Sequence, residues 1–366
     1  MSFGAGKHIA IVLPDLRGGG VERMRLQIAR ELLAAGAEVS LCLSLPRGDL
    51  LGMVPVGCRV VGLDAPRLRD VPVRLAGVLR RERPDGLLAA MWPMTGVAVA
   101  ARAASRRTRV LVSEHNTLSL AYAGFRGPMA PVHRMAMRAA YSAADARVAV
   151  STGVAHDLAK LSGLPVDRFS VIHNPAYREP LEVSSDPWPT STALRVLTVG
   201  SLKAQKDHAT LLAAIARLSA TVDVRLAVLG EGELRAELEA RRDALGLRER
   251  ADFVGFVSDP RPWFAYADVF VLSSRYEGFG NVIVEALAHG VPVVSTDCPS
   301  GPAEILENGT YGRLAPVGDP SGLADALLSV LRGDHPTGDV LRARARVFAP
   351  ATVARRYFDA LFEERR

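Results

Sequence analysis

Cysteine is scarce in this chain: three residues, Cys42, Cys58 and Cys298, stand far apart. Their scatter offers neither a disulfide framework nor a metal-ligand spacing, so the expectation is buried thiols in a reducing compartment. Lysine is nearly as rare, at positions 7, 160, 203 and 206 among 45 Lys and Arg residues, so any cluster of lysines is conspicuous. No apolar run reaches the roughly 18 residues of a membrane-spanning helix. The start, MSFGAGKHIAIVLP, passes directly into strand-like residues and lacks the pattern of a signal peptide. No D-x-D sequence occurs, so a diphosphate bridged to the protein by a metal ion is not expected, and no cofactor is called for.

What is present is apolar and strongly patterned. With 366 residues, 49% of them hydrophobic, the chain is long enough for two domains with sizeable cores. Strand-like runs such as His8–Leu13 and Val110–Val112 alternate with helical segments such as Val21–Ala35 and Val132–Ala143. Such alternation with short connections implies α/β architecture, a parallel sheet covered on both faces. The rhythm breaks at Tyr177–Ala193, where Pro180, Pro187, Pro189 and several Ser and Thr residues read as a linker. It restarts at Leu194–Val199, followed by helices expected over Gln205–Leu218, Leu234–Leu245, Ser321–Leu331 and Leu341–Val347. The expected organisation is a first domain over residues 1–176, a linker over 177–193, a second domain over 194–348 and a terminal helix over 349–366. Two doubly wound domains would face each other across a cleft, with ligands at the carboxyl ends of the strands.

Charge is unevenly spread. Residues 1–180 hold 24 basic and 14 acidic side chains, a net of +10, against 21 and 25 in the remainder, a net of −4. A basic first half suits anionic headgroups or a phosphorylated acceptor, although a solvated arginine-rich surface would look the same. The segment PMAPVHRMAMR (128–138) is apolar and basic together, fitting either a membrane contact or an ordinary amphipathic helix.

Four motifs carry candidate chemistry. The stretch SSRYEGFGNVIVEALAHGVPVVSTD (273–297) runs from a strand into a glycine turn and a helix, placing Glu277 before Gly278-Phe279-Gly280 and Glu285 inside the helix. Glycines admit close backbone approach and a helix start favours an anion, so this reads as a cradle for a sugar, diphosphate and ribose. A carboxylate within VIVEALA would be costly without a hydrogen-bonding partner. The stretch GSLKAQKDH (200–208) brings two of the four lysines to a helix start, where the dipole disfavours cations, which marks Lys206 as a candidate ligand for a diphosphate. Gly18-Gly19-Gly20 lies between the first strand and first helix, and its amides suit an anion or simply a tight turn. Ser113-Glu114-His115-Asn116 ends a buried strand, with His115 either a donor to a phosphate or sugar hydroxyl or a structural histidine. His173-Asn174-Pro175 reads as a turn-fixing element.

These motifs, with VIHNP, LGEGE, FVGF, PSGPAEIL and YGRLAPVGD in the same order along nearly the whole chain, resemble the retaining glycosyltransferases of family 4, which have the GT-B fold of two Rossmann-like domains. The resemblance is to the bacterial surface-polysaccharide type. It implies Glu277 and the amides of Gly278, Phe279 and Gly280 at the donor sugar, and Asn281, Val282, Lys206, Gly19 and Gly20 at the diphosphate. It further implies Glu285 at the ribose, Val254 to Phe256 beside the base, His115 beside the transferred sugar, and a final helix crossing back onto the first domain. Glu277, His115 and Lys206 are thus the catalytic candidates. Many relatives carry arginine where this chain has Ser201, so a second diphosphate cation is missing unless Lys203 or Arg261 stands in.

The expected reaction moves a hexose or N-acetylhexosamine from a UDP-linked donor to a glycan or polyprenyl-diphosphate-linked glycan, with no metal ion. It would run in the cytoplasm or at the inner face of the cytoplasmic membrane, with no nucleic acid as partner. Fixed donors and a cation would stabilise the leaving diphosphate, and one of its oxygens would take the acceptor's proton. The rival readings are an NAD(P)-dependent oxidoreductase, a sugar-nucleotide epimerase of the same fold and a non-catalytic scaffold. Gly278-Phe279-Gly280 is half a dinucleotide fingerprint, but Ile283 stands where the third glycine belongs.

Overall fold

A computed structural model describes residues 3–363 apart from 18, 123, 124, 126, 182 and 191. The chain divides into two compact units, Met1–Pro175 with Pro350–Arg366, and Ala176–Ala349. In the first, seven parallel strands lie in the order β3-β2-β1-β4-β5-β6-β7, comprising β1 (His8–Leu13), β2 (Glu38–Leu43), β3 (Arg59–Gly62), β4 (Gly86–Ala90), β5 (Arg109–Glu114), β6 (Ala146–Ala149) and β7 (Ser170–Val171). The order reverses between β1 and β4, where Ile9 pairs with Val39 on one side and Gly86 on the other. Buried throughout, β4 shows why its sequence reads as a continuous apolar run. The helices are α1 (Gly20–Ala34), α2 (Val71–Glu82), α3 (Met94–Arg102), α4 (Leu118–Ala121), α5 (Ala130–Ala143) and α6 (Thr152–Ser162).

The second unit repeats the plan with six parallel strands in the order β10-β9-β8-β11-β12-β13. They are β8 (Leu194–Val199), β9 (Val224–Leu229), β10 (Ala251–Gly255), β11 (Val269–Leu272), β12 (Val293–Thr296) and β13 (Arg313–Ala315). Its helices are α7 (His208–Leu218), α8 (Arg235–Ala244), α9 (Arg261–Ala265), α10 (Asn281–Ala288), α11 (Pro302–Ile305), α12 (Pro320–Leu331) and α13 (Gly338–Arg346). Here the order reverses between β8 and β11. The last helix, α14 (Pro350–Phe362), belongs to the first unit, where Val353, Ala354, Tyr357 and Leu361 join the core built on β1, β2 and α1.

Several expectations are corrected. Two strands, β3 and β13, were not legible in the sequence, because each is a short edge strand with part-exposed residues and so lacks a doubly buried apolar run. The helix expected from Gln205 begins at His208. Ala204–Lys206 forms a 3-10 turn, and Asp207, at φ 45°, caps α7 by accepting from Thr210. Segment 177–193 has no regular element among its described residues, yet Trp188 is buried against Trp263 and donates from Nε1 to its carbonyl. Cys42 and Cys298 are buried, while Cys58 is part-exposed. Among the described residues no helix is long and apolar enough to cross a membrane.

Candidate functional site

The strand order of the second unit reverses between β8 and β11, and outside the carboxyl ends of strands at such a reversal is where open α/β sheets take ligands. Two loops leave the sheet there, 200–207 and 273–280, and they hold each other. Arg275 N donates to the Gln205 carbonyl at 2.8 Å, Gln205 Nε2 to the Tyr276 carbonyl at 2.9 Å, and Ser273 Oγ to the Lys206 carbonyl at 2.8 Å. This lacing brings together two residues 71 positions apart: Lys206 Nζ donates to Glu277 Oε1 at 2.5 Å. Ser274 Oγ donates to the same oxygen at 2.6 Å. Both side chains of the pair are mostly buried, 16% exposed for Lys206 and 9% for Glu277. The cation does not sit inside a helix start, as the sequence suggested. Asp207 occupies that position, and it also pairs with Arg275 at 3.1 Å.

Immediately after Glu277 the chain makes a turn that only glycine suits. Gly280 adopts φ +97° at the N-cap of α10 and brings no side-chain acceptor to the helix start. The backbone of Phe279 is pressed against Gly301, where a Cβ would lie 2.0 Å from the Phe279 carbonyl oxygen. The Phe279 ring is committed to the core, edge-on to Phe348 at 5.4 Å, so any ligand contact it makes comes from its main chain. Along α10 the partly exposed positions Asn281, Val282, Glu285 and His289 form one stripe, while Ile283, Val284, Ala286, Leu287 and Ala288 are buried. Glu285 is therefore half-buried on the accessible stripe rather than enclosed in the core. Arg261, a possible stand-in for the missing cation at Ser201, holds Asp259 at 2.6 Å, and Ser201 and Lys203 are exposed. At the end of β10 Val254 is 38% exposed, and Phe256 just beyond it 73%.

In the first unit, Gly19 and Gly20 are exposed at the start of α1, and Gly18 lies outside the described residues. The Glu22 carboxylate folds back over Gly19. At the end of β5, His115 is part-buried with both ring nitrogens engaged: Nε2 with Ser113 Oγ at 2.9 Å and Nδ1 with Asn174 Oδ1 at 3.1 Å. Burial, with the Arg25 cation nearby, pushes its pKa down to about 3 against the opposing effect of Asn174, so the ring is neutral at physiological pH. Beside it Glu114 is buried and accepts from Tyr141 Oη at 2.5 Å; burial raises its carboxyl to about 8. Sequence reasoning did not single out Arg25; it named Glu114 and Ser274 only as members of the 113–116 and 273–297 motifs, with no role of their own, and Asn174 only as a turn residue.

Two family descriptions fit this chain: "Glycosyltransferase Family 4" over residues 18–177 and "Glycosyl transferases group 1" over residues 193–333. An N-acetylgalactosaminyltransferase of Campylobacter jejuni, acting on N-acetylgalactosamine-N,N'-diacetylbacillosaminyl-diphospho-undecaprenol, is 30% identical over 71% of this chain and 71% of its own length. The chain belongs to glycosyltransferase family 4. The glycosyltransferase is also 40% identical to the lipopolysaccharide core biosynthesis glycosyltransferase LpsE of Rhizobium meliloti, over 37% of this chain and 39% of that protein. Among solved structures it resembles the lipopolysaccharide outer core galactosyltransferase WaaB (TM-score 0.74, 21% identity, covering 97% of this chain and 99% of the other). Anabaena Alr3699/HepE in complex with UDP gives the same TM-score, identity and coverage. Two Rossmann-like units with parallel sheets in this company make the fold GT-B. The oxidoreductase alternative has no support.

Proposed function

We propose that this glycosyltransferase transfers a hexose or N-acetylhexosamine from a UDP-linked donor to a glycan or polyprenyl-diphosphate-linked glycan in cell-surface polysaccharide biosynthesis, with retention of configuration and without a metal ion. The observation that carries the reading is the meeting of Lys206 with Glu277 outside β8 and β11, next to the N-terminus of α10. An ammonium and a helix start together supply the positive potential that a leaving diphosphate requires. Glu277, held by Ser274, is an acceptor for sugar hydroxyls. Glu285 on the accessible stripe of α10 takes the ribose, exposed Phe256 with Val254 flanks the base, and the first unit's Gly19, Gly20 and His115 are assigned to the diphosphate and the transferred sugar. The UDP complex of a structural neighbour supports the nucleotide, and the Campylobacter relative supports a lipid-linked acceptor.

Retention by attack on the leaving-group face assigns the acceptor's proton to a diphosphate oxygen and leaves no side chain as base. A panel of UDP-glucose, UDP-galactose, UDP-N-acetylglucosamine and UDP-N-acetylgalactosamine, read by thermal shift, tests the donor. At a hundred times Kd a bound donor stabilises by about 2.7 kcal/mol. The reading fails if no member of the panel raises Tm, or if EDTA abolishes turnover. Turnover that depends on an added acceptor separates transfer from epimerisation.

A contact with anionic membrane at the inner face of the cytoplasmic membrane is part of the same proposal. Along α5 and its approach Met129, Val132, Met135, Arg134 and Arg138 are all exposed, Met135 at 69%. An amphipathic helix would bury such apolar residues inward, whereas here Met137 and Tyr141 face the core and three large apolar side chains face out beside arginines. Vesicles with anionic lipid should pellet the protein at low salt and release it at high salt, and Met135→Glu should abolish pelleting. Equal recovery in the supernatant with and without vesicles would remove the membrane contact.

A further inference from the structure

Arg25 lies on α1 with no exposed surface, an arrangement that calls for an explanation. Among the described residues no carboxylate pairs with it. Its Nη2 donates to Ser113 Oγ, and its Nε and Nη1 have no hydrogen-bond partner among the described residues. Its guanidinium stacks over the ring of Tyr357 on α14, 5.0 Å from the centroid. A cation kept in the interior at such cost is doing more than filling space.

The direction of the hydrogen bonds shows what it does. A guanidinium can only donate. Ser113 Oγ therefore accepts from Arg25 and must send its single proton elsewhere. It is within reach of the Ala89 carbonyl at 3.3 Å and of His115 Nε2 at 2.9 Å, and because Asn174 Oδ1, which only accepts, faces Nδ1, Nε2 is the acceptor of the neutral ring. With Nε2 accepting, the neutral ring carries its proton on Nδ1, which faces Asn174 Oδ1 at 3.1 Å. The chain from Arg25 through Ser113 and His115 to Asn174 thus has one polarity, and α1 sets it.

We propose that Arg25 is a positioning residue for the transfer reaction, fixing through Ser113 the tautomer and orientation of His115, and that Tyr357 of the terminal helix holds Arg25 in place. The inference rests on the assignment of His115 to the transferred sugar. A ring held at both nitrogens keeps one orientation and presents one fixed edge, instead of a rotating donor. The C-terminal helix then contributes to the site through the ring of one tyrosine, without touching substrate.

The test uses the full chain, labelled with 15N-histidine. The expected spectrum of the unmodified protein shows His115 as a single neutral form protonated on Nδ1. Ser113→Ala and Arg25→Met should each shift the ring toward Nε2 protonation or a mixture, and Ser113→Thr, which keeps the hydroxyl, should restore the Nδ1 form. With the UDP-sugar chosen by thermal shift, Ser113→Ala should lower kcat about tenfold with KM for the donor little changed, and Ser113→Thr should recover it. If Arg25→Met does not fold, the Ser113 pair decides alone. Unchanged ring nitrogens in Ser113→Ala would overturn the relay. A changed tautomer with unaltered kcat would overturn its role in the reaction. Full activity in His115→Ala, with the Nδ1 form still seen in the parent, would place the failure in the assignment of His115 and not in the relay.

Discussion

Lys206→Ala is expected to lower kcat by roughly tenfold to a thousandfold, the range for losing one electrostatic stabiliser of a leaving group. Glu277→Ala should do the same, yet neither single variant separates catalysis from stability. The two side chains form a mostly buried pair at 2.5 Å, and removing one partner leaves the other charge enclosed, at a cost of about 3 kcal/mol. The decisive protein is the double variant Lys206→Met with Glu277→Gln. It restores a neutral pair of similar volume and keeps an acceptor for Ser274, so its denaturation midpoint should return close to that of the parent. Its turnover should stay as low as that of the worse single variant. A double variant that regained both stability and activity would reduce the pair to a structural clasp and remove Lys206 and Glu277 from the chemistry.

How much of this was legible follows from where each residue sits. Lys206 and Glu277 stood out because each breaks a local rule, a rare lysine at an expected helix start and a carboxylate beside glycines, and both stretches follow apolar strands. The doubly wound plan was legible for the same reason: β1, β5 and β9 are largely buried on both faces and each carries an apolar stretch at its centre, and even the half-buried β8 keeps a buried centre. What stayed hidden depends on long-range packing. Nothing near Arg25 in α1 tells that Tyr357, far along the chain on the terminal helix, will cover it, and a buried arginine looks in sequence like any solvated one. The pairing of Asn174 with His115 is hidden likewise, because a polar residue before proline serves a turn as readily as a ligand. Lys206 is a candidate in the sequence for a reason the structure replaces: Asp207 caps the helix, so the cation's misfit is with the fold's interior and not with the helix dipole.

Glu114→Gln is expected to stabilise the protein, and by an amount that grows with pH. The Glu114 carboxyl is buried at the end of β5, where Tyr141 donates to Oε1 and Oε2 has no partner among the described residues. Burial raises its pKa from 4.5 to about 8, the nearby negative charge of Asp157 adds to this, and the hydrogen bonds from Tyr141, the Trp92 backbone and Thr95 oppose it without prevailing. At neutral pH the folded protein therefore holds a proton that the unfolded chain has lost. Stability contributed by Glu114 is fully present below pH 4.5 and falls as pH rises toward 8, by about 1.4 kcal/mol for each pH unit, a loss of about 3 kcal/mol by pH 7. Glutamine keeps the acceptor for Tyr141 and cannot ionise, so the slope disappears. Urea denaturation of parent and variant should give similar stabilities near pH 5 and a widening advantage for the variant to pH 8. Tyr141→Phe should carry the loss on beyond pH 8, since it removes the donor that partly relieves the ionised form and so lifts the folded pKa further. Parallel stability curves for the parent and the Glu114→Gln protein across this window would mean the carboxyl is charged in the folded state, and the buried strand end would then need a cation that no described residue provides.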